Sequence, residues 1–192
     1  AKQAEKEAIY DDINLKIERA LDEATIYMNG KPVENTKADF ETRIGQAMDD
    51  LIKRVYGKLE HITAAKGPND LAKALRKEKP VLELDVENTE NELALDDLKT
   101  YIQLVGQVSL RNVKDKFALA PYGFIDDDIN WLVGKLFMDG KLTVSINGEI
   151  MSSVAINDKL MFDYITKKQY QDKLLLMVRE AVSARLKGSV NE

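Results

Sequence analysis

The chain has 192 residues, of which 44% are apolar and 32% charged, and its net charge is −5. That length suits one domain or two small ones. The apolar share excludes an intrinsically disordered chain, which lacks the side chains to offset ordering entropy. With no Cys and a single His, disulfides and thiolate metal sites are excluded and a His-based nucleophile relay is disfavoured. No apolar run approaches the ~18 residues a membrane-crossing helix needs. The chain opens Ala1-Lys2-Gln3 without a basic-then-apolar leader, and the expectation is a piece of a larger cytoplasmic protein.

Residues 2–23 read as a helix, with Ile9, Ile13, Ile17, Ala20 and Leu21 on one face. Thr25 to Val33 holds Asn29-Gly30 between short β-favouring runs, the signature of a hairpin whose turn needs positive φ at both central residues. Pro32 keeps that ribbon short or at an edge. Asn35 to Lys37 break the pattern, and Thr36 or Asp39 can cap a long helix over 38–62. Its apolar stripe runs from Phe40 through Ile44, Met48, Ile52 and Val55 to Ile62. Lys66-Gly67-Pro68-Asn69 ends that unit and starts a short helix through about residue 78. Pro80 stops it, Val81, Leu82 and Leu84 form a strand-like run, and Asp85 to Asn91 read as an acidic linker. A unit boundary is expected near residue 90.

The second half predicts a helix over 93–105, an extended step at 107–110, and a helix over 110–119 capped by Ser109. A turn at Ala120-Pro121-Tyr122-Gly123 leads to a helix over 125–138, stopped by Asp139-Gly140. Two strands follow, 141–146 and 149–156, joined by Asn147-Gly148. This order is that of a winged helix, three helices closed by a hairpin wing. Leu174 to Val178 is continuously apolar, and periodicity alone leaves it a buried strand or the start of a helix reaching Lys187. The fold expected is α+β and mainly helical: a helix–hairpin–helix unit over 1–90, a winged-helix-like domain over 91–158, and a C-terminal extension over 159–192.

Chemistry-bearing motifs are few. A P-loop needs Gly-x-x-x-x-Gly-Lys-Ser/Thr between strand and helix, and Gly30-Lys31, Gly57-Lys58 and Gly134-Lys135 lack that context, so no nucleotide site is expected. Asp126-Asp127-Asp128 could bind Mg²⁺ only if the three carboxylates converged, and adjacent helical residues diverge, so first-turn acids complementing the helix dipole are the better account. The acidic pairs Asp11-Asp12, Asp49-Asp50 and Asp96-Asp97 read as solvated faces. His61 is placed at a helix end rather than in catalysis, Trp131 in the core, and Tyr122 and Phe124 as staples of their turn. Catalytic, cofactor and metal residues are therefore none.

Winged helices suggest DNA, and charge tests the suggestion. Residues 91–140 carry five basic and eight acidic side chains, a net of −3. The helix that would enter a groove begins with three Asp and carries only Lys135, a poor match to phosphates. The residues available for nucleic-acid contact are Lys141 on the wing and Lys167, Lys168, Lys173, Arg179, Arg185 and Lys187 in a modestly basic tail, faced by Asp172 and Glu180.

The stretch Ala120-Pro121-Tyr122-Gly123-Phe124, the apolar helix after it and the Asp139-Gly140-Lys141-Leu142 exit resemble the C-terminal region of the large P-loop ATPases of BREX phage-defence systems and related phage-growth-limitation ATPases. The Thr25–Lys31 hairpin and Val55-Tyr56-Gly57-Lys58-Leu59 are similar too. The resemblance implies a bacterial cytoplasmic parent with an ATPase module elsewhere, ATP and Mg²⁺ as that module's cofactors, and other proteins of the same system as partners on invading DNA. The expected role of these residues is a non-catalytic interaction or scaffold module; the alternative is a DNA-binding regulator using wing and tail.

Overall fold

The computed structural model describes residues 2–33, 39–76, 90–151 and 157–179. The readings at 34–38, 77–89, 152–156 and 180–192, including the strand-like run after Pro80, most of the acidic linker, Arg185 and Lys187, lie outside the described residues.

The chain divides into two compact units, 1–57 and 58–192. In the first, α1 (Lys2–Glu23) leads to a ribbon of β1 (Tyr27–Met28) and β2 (Lys31–Pro32). Asn29 and Gly30 both take positive φ, 52° and 75°, as the hairpin required. Asp39 caps α2 (Phe40–Val55) by accepting from the Thr42 N–H at 2.9 Å, and that bond holds its carboxyl below the usual carboxylate range. The expected helix to residue 62 ends early. Tyr56 caps α2, and Leu59–His61 form a separate 3-10 turn that belongs to the second unit.

The second unit is built from α3 (Pro68–Leu75), α4 (Glu92–Val105), β3 (Gln107–Ser109), α5 (Leu110–Ala118), α6 (Asp126–Met138), β4 (Leu142–Ile146), β5 (Glu149–Met151), α7 (Asp158–Thr166) and β6 (Leu174–Val178). Ser109 caps α5 by accepting from the Asn112 N–H at 3.3 Å, and Tyr122 and Phe124 pack on Phe117 at ring distances of 4.3 and 5.8 Å. Asn147 and Gly148 turn β4 into β5, both at positive φ.

Two expectations are corrected here. First, the sheet is four-stranded and antiparallel in the order β3-β6-β4-β5, so the apolar run at 174–178 is its central strand. Val108, Val144 and Leu176 align across it, all facing the core. Bonded on both edges, β6 satisfies its backbone as a strand, with Leu174 and Leu176 buried and Met177 exposed on the other face. Residues 159–178 are thus part of the domain rather than an extension.

Second, the division falls after Gly57 and not near residue 90. Asn91 is fully buried in a left-handed conformation, φ 59°. Its side chain accepts from the Ala64 N–H at 2.9 Å and donates to the Ala64 carbonyl at 2.9 Å, and its own N–H donates to Thr63 Oγ1 at 2.9 Å. What read as a linker end is the pin that fastens residues 63–64 to the start of α4.

Candidate functional site

The helix that would enter a groove is α6, and its surroundings decide what it can do. Nine of its thirteen residues are buried, including Asp128 and Asn130. Alpha3 packs directly on it. A Cβ at Gly134 would lie 2.6 Å from Leu71 Cδ1, 3.6 Å from Leu75 Cδ2 and 3.8 Å from Ile165 Cδ1 of α7. Glycine is therefore needed at 134 for three helices to meet at one point. Trp131 is 5% exposed, as a core residue should be, and the Lys66 ammonium sits 5.0 Å from its ring centre. A helix covered in this way cannot enter a major groove unless α3 and α7 leave.

Two of the three aspartates at the start of α6 have separate partners. Asp126 accepts from the buried Lys114 ammonium at 3.0 Å. Asp128 accepts from the Lys66 N–H at 2.7 Å. Burial pushes the Asp128 carboxyl above the ordinary carboxylate range; the Lys66 N–H opposes this, Asp127 adds to it, and the Lys66 charge opposes it. The carboxylates of Asp126 and Asp128 thus serve separate structural contacts, as the divergence of adjacent helical residues dictates. Among the described residues no cluster of His and acidic side chains is arranged to hold a metal ion.

A charged cluster missed by sequence reasoning ties the 3-10 turn to α4. Asp97 accepts from Lys58 Nζ at 2.6 Å and lies 2.6 Å from His61 Nδ1, while Lys58 also stands 5.1 Å above the Tyr122 ring. Donating to the Asp97 carboxylate holds the Lys58 ammonium above the usual lysine range. His61 was placed at the end of a long helix. It instead faces a carboxylate 36 residues away, and sequence spacing carries no signal for that pairing.

The candidate nucleic-acid contacts are not gathered into one patch. Lys141 and Arg179 lie at one end of the β4–β6 pair, joined by the Arg179 N–H donating to the Lys141 carbonyl at 3.0 Å. Lys173 stands at the opposite end of β6, beside the Asn147-Gly148 turn, six residues or about 20 Å away. Lys167 is bonded to Asp163 at 2.7 Å, which raises its pKa, and Lys168 is exposed on the turn after α7. At the Lys141 end, an open cleft of about 780 Å³ is lined by Lys99, Gln103, Gly106, Thr143, Met177 and Arg179. Lys99 and Arg179 make no ion pair with any described residue.

This architecture has counterparts among known protein families. Residues 53–180 match the BREX ATP-binding protein BrxC winged helix-turn-helix domain. The chain belongs to the BrxC family. Residues 1–51 match a second model of that family, the BREX ATP-binding protein BrxC 4th domain with six-stranded beta sheet. The break between the two matches falls close to the structural division after Gly57. No solved structure matches the chain. Both matched models are accessory domains of a phage-defence ATP-binding protein, in agreement with the resemblance seen in the sequence. No helix among the described residues is long and apolar enough to cross a membrane.

Proposed function

We propose that these residues form a non-catalytic interaction module of a cytoplasmic phage-defence ATP-binding protein, holding other proteins of the system, with ATP and Mg²⁺ bound elsewhere in the polypeptide. The observation that carries this reading is the burial of α6 beneath α3, with an acidic N-terminal turn. A winged helix that reads DNA leaves its recognition helix, the second of the helix-turn-helix pair, open and basic, whereas α6 is closed and acidic. Gel-shift titration of the chain with duplex DNA at low and moderate salt tests the reading. Absence of a shift supports it, and a shift preserved on reversing charge at Lys99, Lys141 and Arg179 would return α6 to consideration. ATP hydrolysis by the isolated 192-residue chain would refute the non-catalytic assignment.

A second reading has one observation in its favour. Lys99 and Arg179, which make no ion pair with a described residue, share the cleft at the sheet end where Lys141 also stands. If DNA is contacted, that end is the place. Binding would then weaken steeply with salt and be lost on Arg179→Glu.

A further inference from the structure

The first unit has apolar stripes, and its described residues form no core cluster of their own. Along α1, Ile9, Ile13 and Ile17 are about half exposed, at 55%, 45% and 52%, and no residue of that helix is buried. Along α2, Met48, Ile52 and Val55 are exposed on one face, and only Arg43 and Ala47 are buried. The ribbon does not cover this face, since it borders the Gln46, Asp50 and Arg54 side of α2. The two helices are nonetheless tied where α1 ends and α2 begins. The Arg43 guanidinium donates to the carbonyls of Leu21, Asp22 and Ala24 at 2.7–2.9 Å, and the Phe40 N–H donates to Asp22. Exposed apolar surface on this scale marks an interface, because helices of this length draw their stability from packing one face.

We propose that the apolar faces of α1 and α2 dock on one face of a β-sheet supplied by the parent polypeptide from outside these 192 residues, completing the domain to which residues 1–51 belong. The matched domain is described as having a six-stranded sheet, whereas the described residues of 1–51 provide two strands of two residues each. A sheet face is also the partner an amphipathic helix pair most readily buries against in an α+β layer.

The chain has no Cys, so single cysteines report burial cleanly. Ile13→Cys and Met48→Cys probe the two faces, and Asp11→Cys, on the opposite side of α1, is the control. Maleimide labelling is followed in the 192-residue chain and in the longer parent protein, each against its unsubstituted form. The expected result is similar rates at all three positions in the short chain. In the parent, Ile13→Cys and Met48→Cys should be slowed about tenfold or more relative to Asp11→Cys. Equal rates in the parent overturn the proposal. Slow labelling already in the short chain also overturns it, and a dimeric mass by light scattering would then assign the face to a second copy.

Discussion

Alpha2 and α4 are similar as sequences and opposite as structures. Each carries apolar side chains at three- and four-residue spacing. In α4 these become Ala94, Leu98 and Ile102, all fully buried against the sheet and α6. In α2 they become Ile44, Met48, Ile52 and Val55, all more than 40% exposed. Periodicity states which face of a helix seeks cover and says nothing of whether the cover is encoded in the same stretch of chain. The second unit closes its core with a strand drawn from far along the sequence. The first shows stripes awaiting something the described residues do not provide.

The largest expected effects lie in the closed core. Trp131→Ala should cost about 3–5 kcal/mol and Leu176→Ala about 2–5 kcal/mol, because each empties a filled site. Thermal melts showing no change for Leu176→Ala would detach β6 from the domain and break the comparison. Gly134→Ala should cost about 1–3 kcal/mol, since the new methyl meets Leu71 in a space with no slack. A neutral result would mean that α3 does not sit tightly on α6 and that the face is open to partners after all.

A pH-dependent effect sharpens the picture at Asp128. Its folded-state pKa lies above the unfolded value, so the native state takes up the proton first and the ionised carboxylate costs stability at neutral pH. Asp128→Asn keeps an acceptor for the Lys66 N–H and removes the charge. The variant should melt higher than the parent chain near neutral pH. That advantage should shrink as pH falls and vanish below the ordinary carboxylate range, as melts at several pH values would show. The smallest effects belong to the first unit, where Ile13→Ala or Ile52→Ala should change the stability of this chain by no more than about 0.5 kcal/mol. A larger loss would reveal a core in that unit.

Much of this was legible without coordinates. The two Asn-Gly turns, the Asp39 and Ser109 caps, the helix at 126–138 and the core position of Trp131 follow from local rules, and the divergence of the three aspartates follows from helical geometry. The electrostatic case against α6 as a reading helix was also visible, because charge counts need no fold. What escaped was set by distant contacts. The early stop of α2, the pin at Asn91, the Lys58–Asp97–His61 cluster and the separation of Lys141 from Lys173 each depend on residues brought together across tens of positions.

Backbone preference and spacing within a few residues were enough to set which segments are helices and turns and which faces are apolar. Where one unit ends, the place of the apolar run at 174–178 inside a sheet and the cover of α3 over α6 came from long-range packing alone. Those outcomes depend on how distant surfaces fill one another's space, and pairwise fit between remote segments leaves no periodic mark in the chain.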